Sequence, residues 1–182
     1  EPVSFAGAHI KGSYNIWLEG ISSFAGWVLS YQKPILMVME EKYHIDTVMR
    51  YLLRLGFDNI TGYLRGGIES WYNEGFEIEK SGLMDVHKLR GEIKNDNLTV
   101  LDVRHDDEWK NGHIENAIHI YVGELKNRIN ELPTHRPIAV VCNVGRRASL
   151  ATSILERNGF DEVYNVLGSM TAWDNANYEI LK

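Results

Sequence analysis

The chain carries one sequence pattern twice, and that repetition limits the folds open to it. Ala8-His9-Ile10-Lys11-Gly12-Ser13 reads against Gly112-His113-Ile114-Glu115-Asn116-Ala117, and Lys33-Pro34-Ile35-Leu36-Met37-Val38 against Arg136-Pro137-Ile138-Ala139-Val140-Val141. Leu52, Arg54, Gly56, Phe57 and Asp58 meet Leu155, Arg157, Gly159, Phe160 and Asp161. Leu64-Arg65-Gly66-Gly67 and Trp71 meet Leu167-Gly168-Ser169 and Trp173, with Arg65 as the extra residue. Matches kept in one order across most of a domain mark a duplication. The period is a whole domain, so the pattern describes a tandem pair and not a solenoid.

Short apolar runs alternate with helix-like stretches in both copies. In the second, Asp85 is placed to cap a helix carrying Val86, Leu89 and Ile93. A strand over Leu98–Val103 follows, then a turn around Trp109 with Asp106 at its cap. A helix with Leu125, Ile129 and Leu132 stops at Pro133. A strand over Glu162–Val166 and a helix around Trp173 close the copy. This order predicts an α/β fold, a parallel sheet flanked by helices in each copy. Residues 1–80 form the first domain and 84–182 the second, with Gly75 and Ser81-Gly82 as exit and linker. The first copy starts late. Glu1 aligns with His105, so the counterpart of Leu98–Val103 is missing, and a parallel sheet without that strand exposes its edges. The expectation is a fragment whose missing strand comes from upstream or from another molecule.

The chain holds one cysteine, Cys142. The apolar run Ile138-Ala139-Val140-Val141 ends at it, and the loop Asn143-Val144-Gly145-Arg146-Arg147-Ala148 follows. Then comes a helix with Leu150, Ala151, Ile154 and Leu155 on one face, closed by Asn158-Gly159. Strand, loop and helix in that order put the sulfur at a helix N-terminus, where free N–H groups and the helix dipole favour negative charge. Arg146 and Arg147 add to that field, and such surroundings stabilise a thiolate. A buried structural cysteine is the common alternative, but it leaves the Gly-Arg-Arg loop unexplained. Asp102 and Arg104 lie on one face at a strand end, a placement for an ion pair that braces the loop.

The loop Cys-x-x-Gly-x-Arg-Ala resembles the active-site loop of rhodanese-type sulfurtransferases, with four residues between Cys142 and Arg147. Cysteine-dependent phosphatases of related fold have a longer loop. Asp102-Val103-Arg104, Glu108-Trp109 and Gly112-His113-Ile114-Glu115-Asn116-Ala117 resemble further motifs of the same family, as do Val163–Gly168 and Trp173. Glu115-Asn116 stands where Pro-Gly is usual, and Ser169 where a second glycine is usual. The resemblance implies a sulfurtransferase whose Cys142 carries sulfur as a persulfide, with Asn143, Val144, Gly145, Arg146, Arg147 and Ala148 as its substrate-binding loop. It implies as donor a small sulfur-containing anion such as thiosulfate, or a low-molecular-weight persulfide. The tandem pattern also resembles the C-terminal pair of fusion proteins that begin with a metallo-β-lactamase-fold domain. That implies an alternative: a non-enzymatic persulfide-binding or regulatory module of a larger hydrolase or persulfide dioxygenase.

The first copy reads as silent. Met39 occupies the position of Cys142, and Glu40-Glu41-Lys42-Tyr43-His44 replaces the basic loop. A thioether cannot form a persulfide, and two carboxylates repel an anion.

Composition sets the outer bounds. The chain is 44% apolar and 24% charged, ordinary for a globular protein. A net charge of −6 argues against nucleic acid as a partner. No apolar run reaches the length of a membrane span. One cysteine excludes an internal disulfide and fits a reducing, cytoplasmic setting. His105, His113 and His119 lack zinc-site spacing, so no metal and no cofactor is expected in these residues. Gly62–Gly67 lacks the lysine of a phosphate-binding loop. Association into a homo-oligomer stays open.

Overall fold

The structure is a computed structural model that describes residues 1–39 and 44–182. In the first copy α1 (Pro2–Gly7), a 3-10 turn (Leu18–Gly20) and α2 (Ile21–Val28) precede β1 (Ile35–Val38), α3 (Ile45–Arg54), β2 (Ile60–Leu64) and α4 (Gly67–Asn73). The second copy runs β3 (Gly82–Met84), α5 (Val86–Lys94), β4 (Thr99–Asp102), α6 (Asp106–Lys110), β5 (Ile118–His119) and α7 (Leu125–Arg128). It continues with a 3-10 turn (Ile129–Glu131), β6 (Ile138–Val141), α8 (Arg146–Arg157), β7 (Val163–Val166) and α9 (Ser169–Asn175). β1 and β2 form a two-stranded parallel sheet, while the second copy builds a five-stranded one in the order β3-β7-β6-β4-β5. All pairs in the larger sheet are parallel. The α/β reading with parallel sheets and flanking helices is what the structure shows.

β6 is buried along its whole length, as a central strand covered on both faces must be. One face packs Leu101, Ile138 and Val140 against α7 and α8. The other packs Val100, Ala139 and Val141 against α5 and α9. α8 departs from a one-faced helix, because every residue from Ala148 to Leu155 is buried. The first copy covers its second face. Phe24 and Val28 of α2 join the core of the second copy. The Asn15 side chain donates to Ser149 Oγ at 2.6 Å, its backbone N–H to Ser153 Oγ at 3.1 Å, and Arg157 donates to the Gly12 carbonyl.

The duplication is visible in side-chain detail. Phe5 stacks on His9 at 4.0 Å, and Trp109 on His113 at 3.7 Å. Each histidine donates through Nδ1 to the carbonyl of that aromatic residue, at 2.9 and 3.2 Å. The indole of Trp71 donates to Glu77 O at 2.8 Å, that of Trp173 to Glu179 O at 3.0 Å.

Local expectations were met unevenly. Asp85 caps α5, accepting from His87 and Lys88 N–H. Asp106 does not cap its turn: His105 holds the cap position of α6, and Glu108 reaches back to the His105 N–H at 3.1 Å. The helix expected up to Leu132 tightens into a 3-10 turn, because the residue before Pro133 is forced into extended backbone. Gly82, read as linker, lies in strand β3. A Cβ there would sit 2.5 Å from the Tyr164 ring and the Val163 carbonyl, so the close pairing with β7 requires glycine.

Between the copies, Glu156 of α8 accepts from Ser81 Oγ at 3.0 Å and lies 3.8 Å from His9 Nε2. Burial lifts its carboxyl from 4.5 to about 7, partly offset by the Ser81 hydroxyl and reinforced by Glu79. The folded chain therefore favours the protonated acid. Stability from this group is full below 4.5 and is lost as pH rises through about 7. Glu156→Gln should stabilise the chain at pH 8 by about 1–2 kcal/mol, discounted for partial exposure. It should coincide with the parent near pH 4 in thermal melts across that range.

Candidate active site

The site is built at the C-terminal end of β6, where the chain leaves the sheet for α8. Cys142 is the first residue past the strand and is 1% exposed. Its Sγ accepts the Gly145 N–H at 3.1 Å. Gly145 adopts φ 95°, which glycine takes without strain. A Cβ there would lie 3.5 Å from the Val166 carbonyl. The tight turn aims the amide at the sulfur and starts α8, whose first intrahelical bond runs from Ser149 N–H to Gly145 O at 3.0 Å. Cys142 is also held from behind. Its N–H donates to Ser169 Oγ at 3.1 Å, and its carbonyl accepts from Met170 N–H at 3.1 Å. Asn143 O accepts from Thr171 N–H at 3.0 Å.

The six loop residues divide. Gly145 and Ala148 are buried with Cys142, while Asn143, Val144 and Arg146 face solvent. Arg147 lies between, and its guanidinium is not free. It forks onto the Glu108 carboxylate, Nη1 to Oε2 at 2.5 Å and Nη2 to Oε1 at 2.7 Å. The Arg147 fork holds Glu108 down to about 2, against its partial burial. Arg147 is raised in turn by Glu108 and, after the cost of burial, by the charge of Cys142, which places it within electrostatic reach of the sulfur. Arg146 is 44% exposed and lies 3.6 Å from Glu19 of the first copy.

α6, which carries Glu108, is itself braced. Asp102 is fully buried and takes Arg104 Nε at 3.0 Å and Nη2 at 2.7 Å. Arg104 Nη2 also reaches the Gly112 carbonyl at 2.8 Å, and His119 Nε2 donates to Arg104 O at 2.8 Å. A chain of contacts thus runs from β4 through Arg104 to the two ends of α6, and from Glu108 to Arg147. His113 has its ring on Trp109 and is occupied by that residue's carbonyl. Among the described residues no group of three or more His, Cys, Asp or Glu side chains could hold a metal ion.

Three partners escaped the sequence: Glu108, Ser169 and Met170. Glu108 was legible only as part of an aromatic-containing motif, since its partner lies 39 positions away. Ser169 stood out as a departure from glycine. Its φ of 45° is the glycine-like conformation, and its hydroxyl is used, accepting from Cys142 and donating to Val166 O at 2.9 Å. In the first copy Met39 is described, but the acidic pair Glu40 and Glu41, with Lys42 and Tyr43, lies outside the described residues.

Comparison with known proteins agrees with this geometry. The rhodanese-like domain family matches residues 1–74 and 85–176. YrkF of Bacillus subtilis, a provisionally assigned sulfur carrier protein, is 37% identical over 79 residues, 43% of this chain and 43% of that protein. The chain therefore spans less than half of that relative. The thiosulfate sulfurtransferase GlpE of Shewanella oneidensis is 31% identical over 94 residues, 52% of this chain and 93% of GlpE. A crystal structure of a rhodanese-related protein from Thermoplasma volcanium superposes with a TM-score of 0.52 at 30% identity, covering 55% of this chain and 97% of that one.

The Glu108–Arg147 fork should show in the acid limb of stability. A carboxylate held near 2 contributes above its ordinary value of 4.5, and that contribution is lost as pH falls through about 2. Discounted for partial exposure, Glu108→Gln should destabilise the chain by about 1–2 kcal/mol at pH 7 and by little near pH 2. Urea titrations at the two pH values measure the difference.

Proposed function

The chain belongs to the rhodanese-like family, and from that premise we propose that it is a sulfurtransferase in which Cys142 carries sulfane sulfur. The observation that carries the proposal is the Gly145 N–H aimed at Cys142 Sγ at 3.1 Å. A donor fixed toward sulfur before reaction stabilises charge without reorganisation. The thiolate attacks the outer sulfur of thiosulfate or of a small persulfide. A new S–S bond forms to Cys142, the donor's S–S bond breaks, and sulfite or a thiolate leaves with the electron pair. A thiophilic acceptor then attacks the outer sulfur of Cys142–S–S⁻, taking it and restoring the thiolate. Two simpler displacements replace one direct transfer.

The arginines divide the work. Arg147, fixed by Glu108, holds the loop's shape and lends part of its charge to the sulfur. Arg146 faces solvent and draws the anionic donor toward the loop. The first copy takes no part in transfer, because Met39 supplies no thiol. Its task is to cover α8 and carry Glu19 to Arg146.

A second reading is a persulfide-holding module that feeds or regulates a metallo-β-lactamase-fold hydrolase or persulfide dioxygenase. The burial of Cys142 favours it, since a thiol 1% exposed admits a small donor more readily than a bulky acceptor. A cytoplasmic setting suits either role, because a lone thiol must stay reduced. No helix among the described residues is long and apolar enough to cross a membrane.

Steady-state kinetics with thiosulfate and cyanide test transfer. Parallel double-reciprocal lines are expected, as for a ping-pong enzyme. Arg146→Ala should raise KM for thiosulfate, with an effect that fades at high salt. Arg147→Ala should lower kcat by about tenfold or more, because it disturbs the loop and strands Glu108. Absence of turnover with every acceptor would leave the holding module as the better description.

A further inference from the structure

Among the described residues, three buried side-chain N or O atoms have no hydrogen-bond partner: Thr152 Oγ1 and both ends of the Asn165 carboxamide, Oδ1 and Nδ2. Each of the two residues is 1% exposed. Buried polar groups are nearly always paired, because the hydrogen bonds they give up to water must be replaced. The neighbouring polar residues of α8 follow that rule. Ser149 accepts from the Asn15 side chain, and Ser153 accepts from the Asn15 N–H and donates to Leu150 O at 2.7 Å.

The three atoms share one seam. Asn165 sits in β7 opposite Val140 of β6. Side chains alternate across a strand, and Val163, two residues earlier, packs with Ala148, Ala151 and Leu155 of α8. Asn165 therefore points at α8 as well. Its Oδ1 lies 3.7 Å from where a Cβ on Gly145 would sit, with the Val166 carbonyl at 3.5 Å. Gly145 and Thr152 are seven residues apart, close to two helical turns, which puts Thr152 on the side of α8 that continues from Gly145. The seam between β7 and α8 thus runs directly behind the turn whose Gly145 N–H points at Cys142 Sγ. The silent copy has no such polar pair. In the alignment of the copies Gly62 stands for Asn165 and Met49 for Thr152, just as Met39 stands for the thiol.

We propose that the seam is a binding site for one enclosed water, held by Asn165 Oδ1, Asn165 Nδ2 and Thr152 Oγ1, and that Asn165 is thereby a positioning residue for sulfur transfer. An enclosed water makes about three hydrogen bonds to groups that otherwise lack partners, and three such atoms face this seam. Its bonds fix the plane of the carboxamide. The fixed carboxamide and the Val166 carbonyl are the floor on which Gly145 rests. That floor sets where the Gly145 N–H points, and a donor held in place before reaction stabilises charge on sulfur better than one that wanders. Asn165 acts through Gly145 and not on the sulfur itself. An apolar β-branched residue would suit this buried strand position better, so the polar pair serves the turn at the expense of stability.

Three measurements on the full chain test this. A high-resolution crystal structure should show water density within hydrogen-bond reach of both Asn165 and Thr152. Asn165→Val removes two of the three contacts and improves strand propensity, so its thermal melts should match or exceed the parent's. Its kcat for sulfur transfer from thiosulfate to cyanide should nonetheless fall about tenfold, with KM within about twofold. Its Gly145 amide should exchange with deuterium about tenfold faster than in the parent. Thr152→Val removes one contact and should move kcat and exchange the same way by a smaller factor. Asn165→Ser keeps a hydroxyl and leaves room for a second water, and should bring kcat back to within about threefold of the parent. Turnover as a readout rests on the sulfurtransferase reading, whereas density and exchange do not. A parent that turns over no sulfur would fail that reading and leave the other two measurements to decide. Density that shows both side chains bonded to protein groups, with no water between them, would overturn the proposal. So would Asn165→Val with the parent's kcat and Gly145 exchange, or a loss of kcat that only follows a lower melting temperature.

Discussion

The candidate-site end of this molecule depends on one buried ion pair. Asp102 lies at the end of a central strand with no exposure, and Arg104, two residues on, closes over it with three side-chain contacts and a backbone N–H. Removing either partner would leave a charge stranded in a dry interior, at a cost of about 3–5 kcal/mol. The pair does more than balance charge. The second arm of Arg104 fixes the Gly112 carbonyl. That contact and the His119–Arg104 bond set both ends of the short helix that presents Glu108. Glu108 in turn decides where Arg147 points. No residue in this relay is a nucleophile, and none of them contacts the sulfur directly, yet the loop geometry rests on them.

The two copies show what happens when that relay is missing. Both keep the stacked aromatic–histidine pair, the indole cap on the closing turn and the strand–helix–strand core. Among the described residues the first copy has no counterpart of β4, and Met39 stands where the second copy has Cys142. What the first copy does in this structure is pack over α8 of the second. Its α2 buries Phe24 and Val28 against the second copy, and its Asn15 ties down two serines of α8. Polar residues in the middle of α8, which a single amphipathic face would leave in water, are buried because this second layer meets them. The inter-copy contact also encloses Glu156, which introduces a pH dependence that neither copy would have alone.

Much of this was legible in the residues. Duplication, the strands β4, β6 and β7 of the second copy and the position of Cys142 between strand and helix follow from apolar runs and from residue types that local backbone geometry demands, whereas the short strands β3 and β5 and the order of the sheet do not. Asp85 is legible as a cap because the interaction is local. Glu108 as partner of Arg147 is not, since the pair joins residues far apart in sequence. The same holds for Ser169. Its sequence context marks a turn, and only the folded chain brings its hydroxyl to the Cys142 amide. Gly82 misled for a related reason: glycine marks flexibility in sequence, while here it permits close contact with Tyr164. The full burial of α8 was hidden because it depends on packing between copies.

Mapping of sulfur after one loading step bears most directly on Cys142 as the carrier. The chain is incubated with labelled thiosulfate or glutathione persulfide in the absence of acceptor, then weighed intact and digested under non-reducing conditions. A gain of one sulfur atom per chain, confined to the peptide that contains Cys142 and lost in Cys142→Ser, is the predicted result. Labelled sulfur retained by Cys142→Ser, or a Cys142 that stays unmodified while the donor is consumed, would contradict it.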